Sequence, residues 1–257
     1  MAELAVIIVA AGPGRRMRSF GARSLLTLAD GRTVLRRQID QARAVWPRAD
    51  IIVVAGFEAE RVAKTLPRGV RMVENELYAE TGPARSIVMG LRASQADRAA
   101  IIYGDLVFTH TFLANIPTDR SVVVVDGAGQ FGAAEPGVTI DRGLVSHIGF
   151  GLFPKWVPIT ILGPHECDLY RQIGGIKSVR GMLGFEPINM VIDRGGEFSA
   201  YLPEDLRIVE IDAIDDVVLA NQRCGISVEA TCEFLPTGIR EKDGLGRQGI
   251  LATTASS

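Results

Sequence analysis

Along the first hundred residues, unbroken apolar runs alternate with stretches whose apolar positions recur every three or four residues. Leu4 to Ala10 contains no polar residue, the pattern of a central strand covered on both faces. Thr33 to Val45 follows as a helix, with Val34, Leu35, Ile39 and Ala42 on one stripe and Pro47 beyond its end. Ile51 to Ala55 reads as a strand, Glu58 to Leu66 as a helix and Val70 to Val73 as a short strand. Ser86 to Ser94 is helical, and Ala99 to Tyr103 is a buried strand that ends at Gly104 and Asp105. Such alternation predicts an α/β fold of three layers, α/β/α, around a mostly parallel central sheet.

Past about residue 121 the texture changes. Ser121 to Asp126, Gly137 to Asp141, Leu144 to Gly149 and Val157 to Leu162 are short strands separated by glycine, and predict a small antiparallel ribbon beside the main sheet. Helices over His165 to Ile173 and Val179 to Leu183 follow, then strands near Glu197 to Leu202 and Arg207 to Ile211. Asp215 to Asn221 opens a last helix, its two leading aspartates suited to the positive helix start. The expected organisation is one domain over residues 1–235 and a flexible tail over 236–257, where Gly, Thr, Ser and charge take over. No internal repeat is present.

Composition narrows the partners. The chain has 257 residues and a formal net charge of −2, so no global field argues for nucleic acid or an anionic membrane. The three cysteines, Cys167, Cys224 and Cys232, lack C-x-x-C spacing and are expected to be reduced thiols. No run approaches the ~20 apolar residues that span a bilayer. The opening apolar run has no basic segment before it. A cytoplasmic protein is the expectation.

The loop after the first strand, Ala10-Ala11-Gly12-Pro13-Gly14-Arg15-Arg16-Met17, has the glycines that let backbone N–H groups approach phosphate oxygens. A Walker loop is excluded, because no lysine precedes Lys64. A dinucleotide fingerprint fits poorly: Met17 stands where its third glycine belongs, and no acidic residue ends the strand at Ile51 to Ala55. The stretch resembles the A-A-G-x-G-x-R-M element of sugar-nucleotide and phosphocholine nucleotidyltransferases. Three further blocks are similar to elements of that family: Asn75 to Gly82 with Ser86, Gly104-Asp105-Leu106-Val107-Phe108, and Glu210-Ile211-Asp212 with Asp215 and Asp216. Two residues depart from it, Arg23 for the family lysine and Ala22 for the proline before it, and Gly82 replaces an asparagine.

The resemblance implies the fold of nucleotide-diphospho-sugar transferases and a Mg²⁺-dependent transfer from an NTP, CTP favoured, to a phosphorylated small molecule such as phosphocholine or a sugar 1-phosphate. It assigns catalytic roles to Arg16, Arg23 and Asp105, metal binding to Asp105 and Asp212, and nucleotide binding to Ala10, Ala11, Gly12, Pro13, Gly14, Arg15, Thr81, Gly82, Ser86 and Gly104. Trp156, Glu186 and Asp193 are candidates for the acceptor pocket, aromatic and acidic groups that would suit a quaternary ammonium. A homodimer is compatible with the resemblance.

Each assignment has a plainer competitor. An aspartate at a strand end is often a turn former, Asp216 reads as a helix-start residue, and Trp156 reads equally as core. Two other functions stay open: a glycosyltransferase of related fold, weakened because Asp105-Leu106-Val107 is not D-x-D, and a nucleotide-binding regulatory protein, kept open by Arg23.

Overall fold

The apolar runs of the first half form the strands they predict. In the computed structural model, which describes residues 2–14, 20–128 and 135–227, the chain begins β1 (Leu4–Ala10), α1 (Val34–Val45), β2 (Asp50–Ala55), α2 (Ala59–Thr65), β3 (Arg71–Glu74), α3 (Pro83–Ala93) and β4 (Arg98–Tyr103). It continues through β5 (Leu106–Phe108), α4 (His110–Ala114), β6 (Val122–Asp126), β7 (Pro136–Asp141), β8 (Leu144–Phe150) and β9 (Lys155–Leu162). The last elements are α5 (Pro164–Ile173), α6 (Glu186–Ile192), β10 (Ser199–Tyr201), β11 (Ile208–Glu210) and α7 (Ile214–Arg223).

Nine strands make one sheet in the order β3-β2-β1-β4-β9-β6-β10-β8-β7, and β11 pairs with β5 in a separate antiparallel ribbon. Successive side chains of β1 enter opposite cores, as strand geometry requires. Ala5, Ile7 and Val9 pack with Ile87, Leu91 and Tyr170 on one face; Val6, Ile8 and Ala10 pack with Leu35, Ile39 and Val62 on the other. Burying each such branched side chain is worth about 1.5–3 kcal/mol, so helices on both faces hold this strand centrally.

The sheet is mixed, which corrects the expectation of a mostly parallel one. β2, β1 and β4 pair in parallel, but β9 runs antiparallel to both β4 and β6, and β8 antiparallel to β10 and β7. The reason lies in the connections. A helix carries the chain back between β1, β2, β3 and β4, whereas no helix stands among the described residues between β6 and β9. Strands joined without a crossover return antiparallel. The strands predicted as a separate ribbon are therefore part of the main sheet, and the detached ribbon is β5–β11. The helix expected over Val179 to Leu183 is a 3₁₀ turn over Lys177–Gly181, and α6 follows it.

Strand order fixes where a ligand can sit. From β1 the chain moves outward through β2 to β3, then α3 carries it back to β4 on the other side of β1. The carboxyl ends of β1 and β4 thus flank a topological switch point, the usual ligand crevice of an α/β sheet. The loop at Gly12 leaves one of these strands, and Gly104 and Asp105 follow the other.

Candidate active site

Gly104 brings the two strand ends together. Its N–H donates to the Val9 carbonyl at 2.8 Å, and an added Cβ would come within 2.8 Å of the Ala10 Cβ, so no larger residue fits without moving β1. Ala10 and Ala11 are buried at this junction, while Gly12 is exposed and an added Cβ there would meet nothing within 4 Å. Gly14 has φ +57°, in the left-handed region, and the space where its Cβ would stand is filled by the Arg23 side chain, with Nε 2.7 Å away. Gly12, Arg23, Ser24, Gly104 and Asp105 surround a cleft of about 30 Å³.

Arg23 sits in a short 3₁₀ turn whose entry is pinned from outside: the Ala22 N–H donates to the Glu58 carboxylate at 2.7 Å. From this turn the guanidinium reaches two strand ends. Nη2 pairs with Asp105 Oδ2 at 2.7 Å; Nη1 pairs with Asp212 Oδ1 at 2.7 Å and donates to the Ile211 carbonyl at 3.0 Å. The planar fork of arginine suits a bridge between two carboxylates, and its charge is permanent. The two aspartates expected to share a metal ion thus share a guanidinium.

Asp105 is buried, whereas the Asp212 side chain is half exposed. Burial raises the Asp105 pKa, the Arg23 charge opposes that shift, and the Asp212 charge adds to it. Asp105 Oδ1 is buried with no hydrogen-bond partner among the described residues, and so is the Ser24 hydroxyl beside it in the cleft. An oxygen left so is expensive unless a ligand or ion completes it. Two hard carboxylates, one with an uncommitted oxygen, fit the donor preferences of Mg²⁺. Among the described residues, no cluster of three or more His, Cys, Asp or Glu side chains is placed to hold a metal.

Glu210 opens the Glu210-Ile211-Asp212 block, and the family resemblance assigns it no role. Its carboxyl is pushed up to about 7, chiefly by desolvation and then by the Asp105 and Asp212 charges. With Asp126, Lys155 and Asp212 it lines a cleft of about 440 Å³, and Asp212 is also a partner of Arg23. Its signal was present: three acidic positions at the carboxyl edge cannot all ionise freely at one place. Asp216, read as a helix-start residue, does that work: its carboxylate accepts from the N–H groups of Asp212 and Ala213 at 2.8 and 2.7 Å.

The Asn75 block forms a second corner. Asn75 is buried, and its amide donates to the Thr81 hydroxyl at 3.0 Å and the Ser86 hydroxyl at 3.1 Å. Thr81 donates onward to the Leu77 carbonyl. Ser86 is itself buried, so its hydroxyl is committed to holding this loop against α3. Gly82 precedes α3 with its N–H on the Arg180 carbonyl, and a Cβ there would lie 2.1 Å from the Met182 carbonyl oxygen.

The acceptor candidates are not gathered into one pocket. Trp156 is buried in an edge-to-face aromatic cluster, with ring centroids 5.9 Å from both Tyr103 and Phe185. Its indole N–H and the Tyr103 hydroxyl are buried without hydrogen-bond partners among the described residues. Glu186 accepts from the Leu183 N–H at the start of α6, and Asp193 stands exposed at the other end of that helix. Arg15 and Arg16 lie outside the described residues, as does the expected tail. No helix among the described residues is long and apolar enough to cross a membrane.

Comparison with known proteins agrees with this architecture. The solved structure of a CTP:phosphocholine cytidylyltransferase from Streptococcus pneumoniae superposes with a TM-score of 0.67 at 18% identity, covering 86% of this chain and 98% of that one. An inositol-1-phosphate CTP transferase from T. maritima gives 0.68 at 15% identity, covering 88% and 97%. These likenesses show the nucleotide-diphospho-sugar transferase fold. In sequence, the chain is 37% identical over 136 residues to the bifunctional protein GlmU of Paracidovorax citrulli, which is 51% of this chain and 27% of that protein. GlmU of Solibacter usitatus is 34% identical over 109 residues, 42% of this chain and 23% of that protein. The matched region thus spans about a quarter of those curated relatives. Residues 6–164 match the model of the MobA-like NTP transferase domain, and the chain belongs to that nucleotidyltransferase family.

Proposed function

We propose that this protein transfers a nucleotidyl group from an NTP to a phosphorylated small molecule and releases pyrophosphate. The observation that carries the reading is the meeting of the β1 loop, Arg23, Asp105 and Asp212 at the switch point of the sheet. An acceptor phosphate oxygen bonds to the α-phosphorus as the bond to the β-phosphate oxygen breaks, and pyrophosphate leaves with that electron pair. Such a reaction asks the protein chiefly to position phosphates and neutralise charge.

The exposed backbone at Gly12 and the half-buried turn at Gly14 would receive the triphosphate, and Arg23 stands beside them with a permanent charge for the α-phosphate. Arg15 and Arg16 follow in the chain and would meet the β- and γ-phosphates, steadying the leaving pyrophosphate. Asp105 and Asp212 would hold Mg²⁺, which supplies charge neutralisation at the reacting phosphates when bound. Thr81 and Gly82 lie in the loop between β3 and α3 and would border the nucleoside, with Ser86 shaping that loop from beneath.

CTP is the favoured donor, since it is the nucleotide named for two of the structural neighbours. The acceptor is a phosphate monoester of the phosphocholine or sugar 1-phosphate class. We take the protein to act in the cytoplasm, and the domain to occupy residues 1–235.

The test is pyrophosphate release with Mg²⁺, offering CTP, UTP, dTTP, ATP and GTP against phosphocholine and a panel of sugar 1-phosphates. Release that requires one donor and one acceptor supports the reading and names both. Binding of a nucleotide with no release for any pair would replace it with a nucleotide-binding regulatory role.

A further inference from the structure

In the carboxylate pair, Arg23 takes the place where a divalent ion would go. Both terminal nitrogens are committed, one to each aspartate at 2.7 Å, and Nη1 is held again by the Ile211 carbonyl. A Mg²⁺ ion needs carboxylate oxygens at about 2.0–2.1 Å. An ion shared by Asp105 and Asp212 would therefore press directly against a cation that cannot lose its proton. Charge points the same way: Asp105 and Asp212 each already face the permanent charge of Arg23, so a divalent ion added with Arg23 still in place would bring a further cation against the same two carboxylates.

A triphosphate changes that balance. The Arg23 side chain fills the space beside Gly14, so the phosphate loop and the guanidinium are already in contact. Phosphates on the loop would offer Arg23 anionic oxygens next to the ones it holds, and the bidentate geometry serves phosphate as well as carboxylate. Once the fork turns to phosphate, Arg23 no longer stands between Asp105 and Asp212, and a divalent ion can take its place there.

We propose that Arg23 is the resident cation of the Asp105–Asp212 pair, and that the pair takes up a divalent ion only as nucleotide draws the guanidinium away. Metal and nucleotide then bind as one unit, each raising the affinity of the other by the same factor. This device rests on the nucleotidyltransferase reading, and it gives the arginine at the family's lysine position a role that a compact ammonium would fill less well, because a single point charge cannot fork across both carboxylates.

Mn²⁺ binding to the full chain, followed by electron paramagnetic resonance of the free ion, tests it. Wild type, Arg23→Gln and Arg23→Lys are titrated with and without a non-hydrolysable CTP analogue, with thermal melts to confirm folding. Without nucleotide, Arg23→Gln should bind Mn²⁺ about tenfold to a hundredfold more tightly than wild type, and Arg23→Lys should fall between them. The analogue should tighten Mn²⁺ binding to wild type strongly and to Arg23→Gln much less. Equal Mn²⁺ affinity in wild type and both variants overturns the proposal, as does a nucleotide effect that survives Arg23→Gln unchanged. If Arg23→Gln does not fold, the lysine variant decides alone. Absence of nucleotide binding in every protein overturns the transferase reading instead, and the titration without nucleotide then decides whether Arg23 is the resident cation.

Discussion

Two corners of the carboxyl edge carry residues from the same family resemblance, and they are built in opposite ways. At the Asn75 corner the polar groups named by the resemblance are satisfied internally: Asn75 donates to Thr81 and Ser86, and Thr81 donates to Leu77. At the Arg23 corner the guanidinium is stretched between two carboxylates, and Asp105 Oδ1 and the Ser24 hydroxyl are buried without partners among the described residues. A satisfied network fixes shape, whereas an incomplete one is costly by itself and is completed by what binds. Motif residues of one family therefore divide into those that hold the crevice and those that face its contents.

The strongest way to break this division is at Asp105. Asp105→Asn keeps the size of the side chain and removes the charge, and should lower kcat by about a hundredfold to a thousandfold in the pyrophosphate-release assay. Activity close to wild type would mean that the Arg23 corner is a structural ion pair only. Asn75→Ala probes the other corner. It leaves the buried Ser86 hydroxyl without its donor and should cost about 1–3 kcal/mol in urea unfolding, while kcat falls far less than for Asp105→Asn. A large loss of kcat with unchanged stability would reverse the two roles.

Glu210 sharpens the contrast through pH. Its folded pKa is raised to about 7 from an ordinary value of 4.5, so the folded state holds this proton more tightly than the unfolded chain does. The stability it contributes is fully present below about pH 4.5 and is lost as pH rises through 7. In the metal-free protein, unfolding midpoints should decline across that window, and Glu210→Gln should flatten the decline. The same slope in both proteins would remove Glu210 from the charge balance of the Arg23 corner.

The parallel half of the sheet was legible because its strands are apolar throughout and its helices carry clear stripes and stops. The other half was misjudged in its place and not in its direction. The strands between Ser121 and Leu162 pair antiparallel as expected, but they join the main sheet through β9 beside β4, and periodicity does not show which strands share a sheet. α6 has no counterpart in the sequence reading, although Pro187 in its first turn is a helix-start signal. Asp105 and Asp212 were identified as a pair from motif order, and their shared contact with Arg23 was not. Nothing in one sequence shows that a side chain at residue 23 reaches residues 105 and 212. Ser86 illustrates the converse: it was singled out for a ligand, and its burial beneath the loop was hidden by a motif that records position without direction.

The smallest expected effect concerns how Asp212 is held. Its N–H and that of Ala213 both donate to Asp216, so the exposed carboxylate of the Arg23 bridge is presented by the first turn of α7. Asp216→Ala leaves those donors to water and should cost about 0.5–2 kcal/mol, nearer the low end because the turn is exposed. Asp216→Asn retains an acceptor at the same place and should recover most of that loss. If the cap only stabilises the helix, Mn²⁺ affinity in the presence of nucleotide will be the same in all three proteins. If it also aims Asp212, the alanine variant should lose a few-fold in that affinity and the asparagine variant should regain it, which would extend the Arg23 corner by one positioning residue.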